Sequence, residues 1–174
     1  MVTIRRAGSD DAAFLLEMLA EAASWDRSPG SPPRALEDVL AGPSAHYAEG
    51  WPHAGDAGAI AELDGRMVGA CWFRHLAADD PGWGYVADDV PEISIAVRED
   101  ARGRGIGTCL LDETIALARD RGLRALSLSV SDGNHARRIY DRAGFVAVDR
   151  DNDATTMLLT LVDLDGHEQP GDAP

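Results

Sequence analysis

The sequence predicts an α/β (α+β) fold, a mixed central β-sheet of about six to seven strands flanked by about four helices. Three observations carry this. Glu92 to Val97 alternates Ile93, Ile95 and Val97 with Glu92, Ser94 and Ala96, and it hands over through a glycine-rich turn to a helical pattern. A second strand pattern follows at Ala125 to Ser131, and strand, crossover helix and strand in that order make the two strands parallel neighbours. Asp64-Gly65, between two further strand-like runs, marks a hairpin, so the sheet is mixed.

Val2 to Arg6 reads as a short strand. Ser9 or Asp10 can cap the helix after it, whose buried stripe is Phe14, Leu15, Met18, Leu19 and Ala22, with Asp10 and Asp11 at its positive end. Ser28 to Pro33 is a Pro/Gly/Ser loop and Arg34 to Ala41 a short helix. Gly42 to Gly58 holds His46, Tyr47, Trp51 and His53 without periodicity, and its histidines read as surface residues. Ala59 to Leu63 and Met67 to His75 are the hairpin arms. Leu76 to Pro91, with several aspartates, Trp83 and Tyr85, is long enough to be functional, a disordered insertion being the competing reading. From Ile106 the apolar positions Leu110, Leu111, Ile115, Leu117 and Ala118 share one half of a helical wheel. Asn134 to Ala143 is the last helix, ended by Gly144, and Phe145 to Arg150 and Thr155 to Asp163 are the final strands. Residues 1–163 read as one domain without repeat or linker, and 164–174 as an acidic, disordered tail.

The junction Arg102-Gly103-Arg104-Gly105-Ile106-Gly107-Thr108 reads as an anion site. The first amides of a helix lack internal partners, and the macrodipole adds about half a positive charge there. Glycines let the backbone approach an anion, and Arg102 and Arg104 can add charge-assisted hydrogen bonds. A plain tight turn with solvated arginines is the alternative. The stretch has no lysine for a Walker loop, and Thr108 stands where a dinucleotide fingerprint counted from Gly103 needs its third glycine.

What does fit is Arg/Gln-x-x-Gly-x-Gly, as Arg102, Gly105 and Gly107. It resembles the pyrophosphate loop of the GNAT superfamily, the acetyl-CoA-dependent N-acetyltransferases. A second constellation, Asn134, Ala136, Tyr140 and Gly144-Phe145, resembles the later motif of that family, and the order of elements follows across residues 2–163. The resemblance implies two parallel strands splayed apart, here Glu92 to Val97 and Ala125 to Ser131, with acetyl-CoA in the gap. By it, the backbone of Ile95, Ala96 and Val97 pairs with the pantetheine arm, and the amides of Arg102, Gly103, Arg104, Gly105, Ile106, Gly107 and Thr108 hold the pyrophosphate. Asn134 bonds the pantetheine, Tyr140 protonates the leaving thiolate, and Glu92 takes the acceptor's proton. Beside these roles stand plainer readings: Tyr140 as a core-face residue with Ala136, Ile139 and Ala143, and Glu92 as a solvated strand end.

The implied reaction is direct transfer of an acetyl group from acetyl-CoA to a primary amine in a ternary complex. Cys71 and Cys109 have no evident partner histidine for an acyl-enzyme and no metal-ligand spacing, so no metal is expected. A CoA-binding sensor or scaffold without turnover is the alternative. The formal charge of −14 disfavours nonspecific nucleic-acid binding and favours a cationic acceptor, whether small molecule or peptide. No apolar run approaches the roughly 18 residues of a membrane span, and the N-terminus lacks a signal-peptide core, so a cytoplasmic monomer or homodimer is expected. Trp51, Trp72, Trp83 and Tyr85 are candidates for lining the acceptor site, Trp72 fitting the core better.

Overall fold

The computed structural model describes residues 1–161. Its strands are β1 (Val2–Arg6), β2 (Ala57–Leu63), β3 (Arg66–Arg74), β4 (Glu92–Val97), β5 (Ala125–Ser131), β6 (Val146–Asp151) and β7 (Ala154–Thr160). They form one seven-stranded sheet in the order β1-β2-β3-β4-β5-β7-β6. Every neighbouring pair is antiparallel except β4 and β5. Four α-helices flank it: α1 (Ala12–Ala22), α2 (Leu36–Leu40), α3 (Ile106–Asp120) and α4 (Arg137–Ala143). The mixed sheet and four helices expected from the sequence are present, and the tail from residue 164 lies outside the described residues. No described helix is long and apolar enough to cross a membrane.

The period of two decides the layers. Ile93, Ile95 and Val97 of β4 and Leu126, Leu128 and Val130 of β5 pack in one core with Leu110, Leu111 and Ile115 of α3. The alternate residues Ala70, Trp72 and Ala96 pack with Phe14, Leu15, Met18 and Leu19 of α1 on the other face. Burying a leucine such as Leu110 contributes about 1.5–3 kcal/mol, so α3 is held to the sheet by its stripe rather than by helix propensity. At the hairpin, Asp64 and Gly65 both have positive φ, 52° and 81°, as a two-residue type I′ turn demands.

Three local expectations change. Neither Ser9 nor Asp10 caps α1: the Asp11 carboxylate accepts the Gly8 N–H at 2.8 Å while Arg5 grips both its oxygens at 2.8 Å. The charged partner fixes Asp11, residues Ser9–Asp11 form a 3₁₀ turn, and α1 starts at Ala12. The last helix starts at Arg137 rather than Asn134, because Asn134 Oδ1 accepts the Ala136 N–H at 2.9 Å in an Asx turn that takes the place of the first helical turn. The loop before β4 is no loose insertion. Trp83 N–H donates to the Tyr47 hydroxyl (2.7 Å), Gly84 N–H to Glu92 (2.8 Å) and Ala78 N–H to Asp88 (3.0 Å).

Candidate active site

β4 and β5 share a single register pair, Glu92 with Ser127, and beyond it they part. The parting opens a cavity of about 740 Å³ that runs from Ile95, Ala96 and Val97 on β4, past the turn before α3, to Asn134 and Tyr140. The two sequence constellations, far apart in the chain, therefore meet at one hole in the sheet.

The turn is built for unpaired amides. Gly103 and Gly105 have φ of 75° and 77°, a conformation L side chains resist, and a Cβ at either would meet nothing within 4 Å. Their glycines are thus set by backbone conformation, and the space in front of them stays open. The first amide of α3 with a carbonyl partner is that of Cys109, bonded to Gly105 O at 3.1 Å. The amides of Gly103 through Thr108 find no acceptor among the described residues, and all of these residues except Arg104 line the cavity. Six amides at a helix N-terminus suit a diphosphate.

The two arginines of the turn are placed differently from each other. Arg102 donates through Nε to Val97 O (2.9 Å) and through Nη2 to Glu21 Oε1 (2.8 Å), so its guanidinium ties the turn to β4 and α1. Arg27 donates to the same Glu21 oxygen at 2.7 Å and draws the segment after α1 against the cavity, where Trp25 and Pro29 join its wall. Arg104 is exposed and does not line the cavity. Sequence reasoning missed Glu21, Arg27 and Trp25. The available signal was Glu21, a carboxylate three positions after Met18 on the buried stripe of α1.

Asn134 spends Oδ1 on its own turn, and the residue lines the cavity. Tyr140 is 6% exposed, packs edge-on to Phe145 with ring centroids 5.9 Å apart, and its hydroxyl has no hydrogen bond among the described residues. Burial, with Cys71 beside it, pushes the phenol's proton affinity up, so it keeps its proton until a stronger base appears. Cys71 is itself buried, its thiol pushed up to about 12 by desolvation, which makes it a poor nucleophile.

Glu92 is not a solvated strand end. It is 4% exposed on the α1 face, and Oε1 accepts the Tyr47 hydroxyl at 2.7 Å and the Gly84 N–H at 2.8 Å. Desolvation raises its pKa above the ordinary carboxylate value, while the Tyr47 and Gly84 hydrogen bonds pull it back in part. It lies outside the lining of the large cavity, at the end of β4 where the splay begins. Tyr47 is held there by Arg74, whose buried guanidinium pairs with Asp56 (2.6 Å) and donates to His46 O (2.8 Å) and Glu49 O (2.7 Å). Trp51 and Trp72 are buried in the α1-side core, donating to Gly8 O and Tyr47 O. Trp83, at 63%, is the exposed tryptophan of the loop over Glu92. Among the described residues no cluster of three metal-ligating side chains forms.

Comparison with known proteins bears on the family and the fold. Residues 16–145 match the model of the Acetyltransferase (GNAT) family. The mycothiol acetyltransferase of Acidimicrobium ferrooxidans is 34% identical over 144 residues, which are 81% of this chain and 42% of that protein. The chain thus spans about two fifths of that relative's length. A Bacillus subtilis protein named for acetylation of the alanine of ribosomal protein bS18 is 29% identical over 71% of the chain and 68% of its own length. In fold, the chain is similar to the Salmonella typhimurium protein yncA, solved with its cofactor acetyl-CoA, at a TM-score of 0.69 and 22% identity over 100% of this chain and 98% of that one.

Proposed function

The chain belongs to the GNAT acetyltransferase family, and from that premise we propose that it moves an acetyl group from acetyl-CoA to a primary amine by direct transfer in a ternary complex. The observation that carries this is the convergence, on one cavity, of the unpartnered amides of Gly103 to Thr108 and the unbonded hydroxyl of Tyr140. The amides bind the pyrophosphate, and the free edge of β4 from Ile95 to Val97 offers backbone groups to an amide-bearing arm. Asn134 Nδ2 donates to that arm. Tyr140 gives its proton to the departing thiolate, and burial keeps that proton available at neutral pH.

Glu92 lies on the opposite face of the sheet from Tyr140, at the closed end of the same gap. An alkylamine is largely protonated at neutral pH, its pKa being near lysine's value of about 10.4, so a base must take its proton before attack. Desolvation fits Glu92 to that task. The sensor or scaffold alternative leaves the unbonded Tyr140 hydroxyl and the buried Glu92 carboxylate without a purpose. The Bacillus subtilis relative, named for acetylation of a ribosomal-protein alanine, supports testing an alanine amine among the acceptors.

The test is thiol release from acetyl-CoA with alaninamide, spermidine, lysine methyl ester and glucosamine, in wild type and Tyr140→Phe. The variant should keep its affinity for acetyl-CoA and lose about 100- to 10,000-fold in kcat, the usual contribution of a general acid. Equal kcat in a folded Tyr140→Phe protein would return Tyr140 to the core.

A further inference from the structure

A second cavity, of about 460 Å³, lies at the end of β3 and shares no lining residue with the first. Its wall brings together three histidines that lie apart in the chain, His46, His53 and His75, with Glu49, Arg74 and Asp80. Acetyl transfer as proposed above gives this cavity no task.

What the wall offers a ligand is mainly acceptors. His46 Nδ1 lies 2.9 Å from Asp80 Oδ1, and His75 Nδ1 lies 3.2 Å from Asp88 O. A carboxylate or carbonyl oxygen only accepts, so each neutral ring donates through Nδ1 and carries its lone pair on Nε2. The His46 Nε2 is buried without a partner among the described residues, so its lone pair adds to the negative potential behind the wall without being reached. Arg74 brings little positive charge to the cavity. Its buried guanidinium is paired with the Asp56 carboxylate at 2.6 Å and donates to His46 O and Glu49 O, which fixes two residues of the wall. Glu49 therefore uses its carbonyl on Arg74 and leaves its exposed carboxylate without a partner among the described residues. With Arg74 neutralised by Asp56, the carboxylates of Glu49 and Asp80 leave the cavity with an excess of negative charge.

We propose that this cavity is a binding site for an aliphatic polyamine, separate from the cavity between β4 and β5. Ammonium groups supply the N–H donors that the wall lacks: one pairs with Glu49 and one with Asp80, and the methylenes between them lie along Leu76 and Ala77, which also line the cavity. The volume falls within the roughly 300–1,000 Å³ of small-molecule sites. A formal charge of −14 on the whole chain draws such a cation in. A metal ion would use the same lone pairs, but among the described residues no three ligating side chains converge on one point. The site stands on its own wall and does not depend on acetyl transfer.

Calorimetric titration with spermidine, without acetyl-CoA, tests this. The wild type should bind saturably. Glu49→Gln and Asp80→Asn should each weaken binding roughly three- to tenfold, between the effect of an exposed ion pair and that of a buried charged hydrogen bond, and the double variant by about the product of the two. Asp112→Asn removes one exposed negative charge from α3, outside the cavity, and should leave the affinity unchanged. In nuclear magnetic resonance titrations the amides of Gly50, Ala77 and Asp80 should shift with spermidine, while those of Gly103 to Thr108 stay in place. Asp80 also bonds His46, so melting curves accompany each variant, and Glu49→Gln carries the test if Asp80→Asn is destabilised. Absence of saturable binding, unchanged affinity in folded Glu49→Gln, an equal loss in Asp112→Asn, or amide shifts elsewhere in the protein would each overturn the site. None of these results bears on whether acetyl-CoA binds or transfers its acetyl group.

Discussion

Gly105→Glu separates binding from folding at the turn before α3. Gly105 has φ of 77° as the residue that opens the helix, and a Cβ there meets nothing within 4 Å. The protein itself therefore resists the side chain only through backbone strain, about 1–2 kcal/mol for an L residue in the left-handed region. A carboxylate at a helix N-terminus returns about 0.3–1 kcal/mol of that, so the net cost is near 1 kcal/mol. For a domain of this size that lowers the melting temperature by about 2–4 °C. Binding should suffer far more. If the carboxylate occupies two of the amides that would hold the pyrophosphate, two hydrogen bonds to a charged group are lost, each about 1.5–3 kcal/mol, or roughly 10²- to 10⁴-fold in affinity. Gly105→Ala carries the same strain without the charge and should lose much less. Calorimetric titration with acetyl-CoA and a melting curve measure both. A folded Gly105→Glu protein with wild-type affinity would refute the assignment of the anion to these amides.

Glu92→Gln keeps the shape and removes the charge. Desolvation holds the folded pKa above its ordinary 4.5, so the contribution of Glu92 to stability is present below the unfolded value and is lost as pH rises through the folded one. The variant should accordingly be more stable than wild type at neutral pH, an advantage that vanishes below about pH 4.5 in paired denaturation curves. Its acetyl-transfer rate should fall at neutral pH and recover as pH rises and free amine becomes abundant; rate profiles that overlay at every pH would remove Glu92 as the base. Arg74→Met leaves the Asp56 carboxylate buried without its partner, which costs about 3–5 kcal/mol. Adding Asp56→Asn should recover part of that loss in chemical denaturation, and no recovery would mean the pair is not the source.

What was legible in the sequence was local. The alternation from Glu92 to Val97, the Asp64-Gly65 turn and the apolar stripe of α3 each record their structure within a few neighbouring residues, so the sheet and its helices could be read. The same holds for the glycines of the turn, whose positive φ leaves few other residues acceptable. The burial of Glu92 was not legible, because Tyr47 and Gly84 make it from two separate loops. The task of Arg102 was hidden in the same way: its partner Glu21 lies 81 positions earlier, with no periodic pattern to link them. Ser127 read only as a small polar residue facing away from the apolar set. Its pairing with Glu92 across the splayed parallel strands depends on register rather than on residue type.

The central claim, direct transfer within a ternary complex, is tested by initial rates over a grid of acetyl-CoA and amine concentrations, with mass spectrometry of the protein after incubation with acetyl-CoA alone. Buried Cys71, with its raised thiol pKa, and the absence of any other activated nucleophile among the described cavity residues predict intersecting reciprocal plots and a protein of unchanged mass. Parallel lines together with a protein heavier by one acetyl group would contradict it.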